Sequence, residues 1–161
     1  MRIIGVIGGA QCTPREAELA HEVGRRLAER GVVLVCGGGG GVMGAARQGA
    51  LEAGGFTLGI LPGNDSAEAN RHVRLAIPTG MGEARNVVIV LTAQTLIAIG
   101  GEGGTLSEVG LALRLGKRVV ALESWEVRLP QGQTPQGLVL AQDPEQAVHL
   151  ALEADRDSAA T

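Results

Sequence analysis

Residues 94–116, QTLIAIGGEGGTLSEVGLALRLG, contain the parts of one α/β unit in order. Residues 95–99 are apolar or β-branched almost throughout, which predicts a parallel strand covered on both faces. Four glycines within residues 100–104 then predict a tight turn where the backbone can approach a ligand closely. Thr105 is predicted to be a helix N-cap, because Glu108 follows at the spacing of a capping box. A strand, a glycine-rich turn and a helix N-terminus together predict an anion site, since unpaired amides and the helix dipole point to one place.

The rest of the chain alternates in the same way between strand and helix patterns. Thr13 before Pro14 is typical of an N-cap followed by proline at the first helical position. Strands that alternate with helices at short spacing predict a Rossmann-like α/β fold, a doubly wound parallel sheet with helices on both faces, in one domain over residues 1–155. Residues 156–161 are predicted to be a disordered tail. The other predicted strands are residues 2–7, 32–36, 56–61, 73–77, 117–122 and 138–141, and the other predicted helices are residues 15–30, 42–53, 81–92 and 144–154.

Bulk composition excludes several classes of function. A net charge of -3 and an aromatic content of 1% argue against binding to nucleic acid or to an anionic membrane. Cys12 and Cys36 are unclustered, so neither a disulfide scaffold nor a metal site is predicted. Without a signal-peptide pattern or a long apolar run, the expected location is the cytoplasm.

Three glycine-rich loops, at residues 8–9, 37–41 and 100–104, each follow a predicted strand. In a parallel sheet they should share the carboxyl edge, where ligands bind, so we predict a phosphate-bearing ligand. Gly39, Gly41 and Gly44 match GxGxxG, but the match follows the second strand and no acidic residue ends the third, which disfavours a NAD dehydrogenase.

Three charged residues beside these loops allow alternative interpretations. Arg85 opens an apolar helix and could clamp a phosphate, or it could pair with Glu83 or lie exposed. Glu108 could be only a capping residue, or it could face a ribose or a base. Glu102 lies in the loop, where its negative charge opposes the binding of an anion unless the side chain points outward, binds a metal or accepts a hydrogen bond from a sugar hydroxyl.

The predicted helix at residues 81–92 is apolar nearly all round. This favours a homo-oligomer, a dimer or tetramer, in which this helix packs across a symmetry axis. The alternative is a central helix within one subunit.

The glycine runs at residues 37–41 and 100–104 and the segment GMGEARN at residues 80–86 resemble motifs of the Lonely Guy superfamily over residues 1–125. The superfamily includes nucleoside 5′-monophosphate phosphoribohydrolases of the cytokinin-activating type and proteins labelled lysine decarboxylases. It also has a shorter branch of molybdenum cofactor carrier-like, DNA-processing-A-related proteins. The resemblance implies that Arg85 and Glu108 match the essential residues of the enzymes, and that Gly104 and Thr105 match their phosphate loop.

Four departures make the chain more similar to the carrier branch. They are Gly100 in place of proline, Glu102 in place of a loop glycine, Asn86 in place of lysine and Cys36 in place of glycine. A pyridoxal-phosphate lysine decarboxylase is rejected, because the one lysine, Lys117, is predicted at the edge opposite to the glycine loops.

The sequence therefore predicts a protein that binds and carries a phosphate-bearing nucleotide or molybdenum cofactor. The alternative is an enzyme that cleaves the N-glycosidic bond of a nucleoside monophosphate, with Arg85 and Glu108 as catalytic residues. The predicted binding residues are Gly8, Gly9, Gly38, Gly39, Gly40, Gly41, Met43, Arg85, Gly101, Glu102, Gly103, Gly104, Thr105 and Glu108.

Overall fold

Seven parallel strands form one sheet in the computed structural model, which describes residues 1–69 and 71–158. This confirms the predicted Rossmann-like α/β fold. The strands are β1 Ile3–Gly8, β2 Val33–Cys36, β3 Thr57–Leu61, β4 Leu75–Pro78, β5 Thr95–Gly100, β6 Arg118–Ser124 and β7 Leu138–Ala141. The helices are α1 Pro14–Glu29, α2 Gly41–Glu52, α3 Asn86–Thr92, α4 Gly103–Arg114 and α5 Pro144–Ser158, with 3₁₀ turns at Ser66–Glu68 and Gly82–Arg85.

The strand order is β4-β3-β2-β1-β5-β6-β7. The chain therefore builds outward from β1 to β4 and then crosses back to place β5 on the other side of β1. The order reverses between β1 and β5, and in an open parallel sheet this switch point is where a ligand crevice forms beyond the carboxyl ends.

The central strand β5 shows how the two faces are covered. All of its residues are buried, as the apolar run predicts. Ile97 and Ile99 pack in the core formed with α1, α2 and α5, whereas Leu96 and Ala98 pack in the core formed with α3 and α4. Alternate side chains thus enter opposite cores, because successive residues of a strand point to opposite faces.

The predicted cap of α1 is correct and the predicted cap of α4 is wrong. Thr13 and Glu16 form a complete capping box at α1, with the Glu16 amide donating to Thr13 Oγ1 at 3.1 Å. Helix α4 instead begins at Gly103, with Glu102 at the N-cap position and no side-chain cap. Thr105 lies within the first turn, where its side chain packs against Gly101, so it forms no capping box with Glu108.

Residues 81–92 and the chain end also differ from the prediction. The continuous helix expected at 81–92 is a 3₁₀ turn followed by the seven-residue α3. In the single chain α3 buries Ile89 and Val90 but leaves Val87 40% and Leu91 58% exposed. Helix α5 continues to Ser158, beyond the expected end near residue 154, and the rest of the predicted tail lies outside the described residues. None of the helices in the described ranges is long and apolar enough to cross a membrane.

Candidate functional site

A cavity of about 530 Å³ lies at the carboxyl edge of the sheet, beside the switch point. This volume is within the range of small-molecule sites in proteins. A neighbouring cavity of about 480 Å³ shares several of its residues and continues between α3 and α4 as far as Leu111. The lining of the first cavity, called here the edge cavity, is Gly8, Gly9, Ala10, Gln11, Met43, Glu83, Arg85, Asn86, Glu102, Gly104, Thr105 and Glu108.

The first turn of α4 supplies unpaired amides to the edge cavity. Gly103, Gly104 and Thr105 are the first helical residues, so their N–H groups have no acceptor within the helix. A Cβ atom at Gly103 or Gly104 would meet nothing within 4 Å, which shows that this turn faces open space. Amides and the positive end of the helix dipole together make an anion-binding geometry at Gly104 and Thr105.

Arg85 is held in place by three hydrogen bonds. Its Nε donates to the Ile60 carbonyl at 3.0 Å, its Nη2 donates to the Gly37 carbonyl at 3.3 Å, and its Nη1 donates to Asn86 Oδ1. Gly37 is required for this arrangement, because a Cβ there would lie 2.8 Å from Nη2. Burial lowers the pKa of Arg85, and the electrostatic effects of Glu108, Cys36 and Glu83 oppose that shift. An arginine side chain stays protonated in proteins, so this fixed guanidinium places a positive charge at the border of the edge cavity.

Glu108 is the titratable carboxyl of the edge cavity. Burial raises its pKa to about 7, and the positive charge of Arg85 acts in the opposite direction. Because the capping box does not form, the helix does not use this carboxyl group. Near neutral pH some molecules therefore carry a protonated carboxyl, which donates a hydrogen bond, and the others carry a carboxylate, which only accepts. This mixture suits either recognition of a polar ring edge or acid–base chemistry.

The glycine loop at residues 37–41, called here the α2 loop, packs against protein atoms at Gly37, Gly38 and Gly41, whereas Gly39 and Gly40 have room for a Cβ. The Val42 amide donates to the Gly9 carbonyl at 3.1 Å, and a Cβ at Gly38 would overlap the Leu61 side chain. Met43 reaches the edge cavity from α2. Six predicted binding glycines lie outside its lining, namely Gly38, Gly39, Gly40, Gly41, Gly101 and Gly103.

The structure also brings in residues that were not predicted to bind. Gln11 and Ala10 follow β1 directly, and their place at the carboxyl edge is the signal that would have found them. Asn86 replaces the lysine of the enzyme pattern and here accepts a hydrogen bond from Arg85. Glu83 adds a third carboxylate to the lining, but within residues 1–69 and 71–158 no group of three or more His, Cys, Asp or Glu side chains could hold a metal ion.

Comparison with known proteins identifies what this chain resembles. The model of the SLOG cluster4 family matches residues 1–148. The structure of a molybdenum cofactor binding protein from Rippkaea orientalis is 38% identical, with a TM-score of 0.84, over 99% of this chain and 98% of that one. The molybdenum cofactor carrier protein of Chlamydomonas reinhardtii is 34% identical, with a TM-score of 0.83, over 96% of this chain and 98% of that one.

A more distant similarity extends to DNA processing protein A from Streptococcus pneumoniae. Its identity is 19% and its TM-score 0.71, over 92% of this chain and 61% of that one, so this similarity shows a shared fold alone. These comparisons confirm the superfamily branch that the motifs indicated.

Proposed function

We propose, from the premise that this chain belongs to the SLOG cluster4 family, that it binds and carries a phosphate-bearing cofactor of the molybdopterin type. The observation that carries the proposal is that the guanidinium of Arg85 and the first-turn amides at Gly104 and Thr105 border one cavity. The similarity to a cofactor binding protein and a cofactor carrier protein supports the same ligand class.

The edge cavity offers separate groups to the two ends of such a ligand. The phosphate would bind the α4 amides and Arg85, because fixed N–H donors and a guanidinium match phosphate oxygens. The pterin ring carries N–H donors on its polar edge, for which the Glu108 carboxylate and the Gln11 side-chain carbonyl are acceptors. A nucleoside monophosphate presents the same phosphate and a comparable polar ring, so it is the alternative ligand of this site.

The ligand class can be tested by retention. The protein is incubated anaerobically with molybdenum cofactor released from a molybdenum enzyme, desalted, and assayed for molybdenum and for fluorescent pterin oxidation products. We expect stoichiometric retention by the wild type and about tenfold weaker retention by Arg85→Met, because a charge-assisted contact to phosphate is lost. Arg114→Met is the matched control, since it removes an exposed charge from the other end of α4.

Two results would contradict the carrier proposal. One is a folded wild-type protein that retains neither the cofactor nor inorganic phosphate. The other is equal retention by Arg85→Met and Arg114→Met, which would show that the edge cavity is not the binding site. Retention of nucleoside monophosphates but not of molybdenum cofactor would support the proposed phosphate site and identify a nucleotide as its ligand.

Hydrolysis of a nucleoside 5′-monophosphate is the second candidate function. The observation that favours it is a carboxyl group with a pKa of about 7 beside a fixed arginine in one cavity. In such a reaction Glu108 would stabilise a ribosyl cation or activate water, while Arg85 would bind the substrate. Incubation with nucleoside monophosphates should then release free base and ribose 5-phosphate, and Glu108→Gln should abolish release. Binding without release supports the carrier.

A second copy of this chain is the partner that we propose for the exposed side of α3. Val87 and Leu91 are exposed there, one helical turn apart, and Met81 is 47% exposed ahead of the 3₁₀ turn that leads into α3. A patch of this kind on a small domain fits a two-fold contact between copies. Light scattering during gel filtration should give a multimer that Leu91→Asp dissociates, while Leu140→Asp, at an exposed leucine of β7, leaves it intact. A monomeric wild type would contradict the proposal.

A further inference from the structure

The lining of the edge cavity carries more carboxyl groups than cations. Glu83 comes from the 3₁₀ turn before α3, Glu102 and Glu108 come from the start of α4, and among the described residues that line the cavity the one cation is Arg85. The lining residues from α2 and from the loop between β1 and α1 are uncharged. If all four groups were ionised, a phosphate dianion would enter a lining whose side chains are already net negative, which opposes binding.

Glu108 differs from the other two carboxyl groups in its surroundings. Glu83 and Glu102 are exposed, whereas Glu108 is partly buried and lines both the edge cavity and the neighbouring cavity between α3 and α4. Within residues 1–69 and 71–158 its carboxyl group has no hydrogen bond and no ion pair. Arg85 acts on it electrostatically, but the hydrogen bonds of that arginine go to two main-chain carbonyls and the Asn86 side chain. A proton is therefore the one partner that this carboxylate can gain without a change of fold.

The proposed phosphate seat lies within one helical turn of Glu108. Gly104 and Thr105 precede it by four and three residues in α4, so the three residues share one face of the helix. Side chains of a helix lean toward its N-terminus, which brings the carboxyl group toward the first-turn amides. One turn spans about 5.4 Å, and two negative charges this close repel each other where protein limits screening by water. A phosphate on the amides therefore favours the neutral form of Glu108.

A second buried guanidinium, that of Arg47 in α2, lies outside this arrangement. It donates to Cys36 Sγ at 2.9 Å and to the Gly39 carbonyl, and it lines neither cavity. It is not among the causes of the raised pKa of Glu108. In the described part of the chain, the charged groups that share the cavity lining with Glu108 are thus Arg85 and the two exposed carboxylates.

We propose that the edge cavity binds its phosphate together with one proton, which the Glu108 carboxylate takes up from solvent. The inference rests on the proposed binding of a phosphate-bearing ligand and adds the regulation of that site by pH. The proton adds to a carboxylate oxygen of Glu108 as the phosphate enters and returns to solvent as the phosphate leaves. The protonated group keeps one oxygen that can accept a hydrogen bond from the ligand. Such a carrier holds its cargo more tightly at low pH and releases it as the pH rises.

The test uses a probe whose own charge stays constant. Ribose 5-phosphate is a dianion from about pH 7 upward, so calorimetric titrations between pH 7 and pH 9 report changes in the protein. The pKa of Glu108 is about 7 without ligand, and bound phosphate raises it further. We therefore expect the affinity of the wild type to fall about fivefold from pH 7 to pH 8, since the ligand-free carboxyl group becomes ionised. At pH 8, titrations in two buffers of different ionisation enthalpy should show uptake of about one proton per ligand.

Two variants assign the proton to its group. Glu108→Gln keeps the size of the side chain and is neutral at every pH. It should bind with the affinity that the wild type approaches at low pH, without pH dependence and without proton uptake. Glu83→Gln is the matched control, because it removes an exposed carboxylate from the same lining. It should keep the proton uptake of the wild type, whatever its affinity.

The outcomes separate this inference from the proposed function. Binding by the wild type without proton uptake, and with equal affinity at pH 7 and pH 9, overturns the inference and leaves the phosphate site intact. Proton uptake that persists in Glu108→Gln, or that disappears in Glu83→Gln, belongs to another group and also overturns it. A folded wild type that binds no ribose 5-phosphate at any of these pH values refutes the phosphate site and the inference with it. The count of protons in the wild type does not depend on the folding of any variant.

Discussion

The α2 loop and the glycine loop at residues 100–104, called here the α4 loop, follow the same local pattern. Each follows a buried strand and leads into a helix of 12 residues. In the α2 loop a Cβ at Gly38 or Gly41 would overlap protein atoms, whereas Gly39 and Gly40 have room for one. In the α4 loop Gly100 and Gly101 pack against Glu16 and Thr105, whereas Gly103 and Gly104 face open space. A glycine run after a strand therefore has two physical causes, close approach of protein to protein or close approach of protein to ligand.

The electrostatics of the two loops differ in the same way. Arginine side chains donate to two carbonyls of the α2 loop, those of Gly37 and Gly39. The α4 loop presents amides to the edge cavity and precedes Glu108, whose carboxyl is poorly solvated. Substitutions that disturb packing should therefore act at the first loop, and substitutions that disturb ligand or proton binding should act at the second.

The largest expected effect is that of Gly41→Ala on stability. Gly41 has a φ of 60°, and a Cβ there would overlap the Gly9 carbonyl and come within 2.5 Å of that of Ala10. We expect a loss of about 3 kcal/mol in the free energy of unfolding, measured with urea. Gly103→Ala is the control in the α4 loop and should change stability by less than about 1 kcal/mol. Equal losses would remove the distinction between the loops.

The pH dependence of stability should come from the α4 side. The folded pKa of Glu108, about 7, exceeds the ordinary value of 4.5 in the unfolded chain, so the folded state binds the proton more tightly. Its contribution is greatest below pH 4.5 and is lost as the pH rises through about 7. Between pH 5 and pH 8 this group should cost the wild type on the order of 2 kcal/mol in the free energy of unfolding. Urea unfolding curves of Glu108→Gln at the two pH values should lack that decrease. An unchanged pH dependence in the variant would contradict the burial of this carboxyl.

The electrostatic effect of Arg85 on Glu108 can be measured directly. Arg85 opposes the shift caused by burial, so Arg85→Met should raise the pKa of Glu108 above about 7. Carbon-13 NMR of the labelled carboxyl group gives this pKa in both proteins. Arg47→Met should leave it nearly unchanged, because Arg47 lies behind the other loop and is no source of the Glu108 shift. A downward shift in Arg85→Met would be incompatible with the observed arrangement.

The smallest expected effect is a change in tryptophan fluorescence. Trp125 is the one tryptophan, and its Nε1 donates to the Glu102 carbonyl at 3.1 Å, at the start of α4. Phosphate bound at the α4 amides should therefore produce a small change in tryptophan fluorescence, through the field at the indole ring. The Gly103→Ala protein is a useful second sample, since it keeps the tryptophan contact. No change at saturating phosphate, shown by calorimetry, would place the anion elsewhere.

The sequence alone determined the features that depend on local spacing. The apolar run of β5 predicted a doubly covered strand, and Thr13 with Pro14 predicted the start of α1, because burial pattern and caps are set by neighbouring residues. Arg85 and Glu108 were found from their places beside glycine loops, and the structure brings both to one cavity.

Only the tertiary structure decided which glycines open to that cavity and where α4 begins. Gly41 of the α2 loop packs against Gly9 because the strand order places β1 beside β2, and this contact has no signal in local spacing. Thr105 looked like a cap but packs against Gly101, and Arg47 of α2, on which the sequence made no prediction, is completely buried behind the α2 loop. Both outcomes depend on atoms brought together by the fold, because steric exclusion and desolvation are properties of packed surroundings and not of residue order.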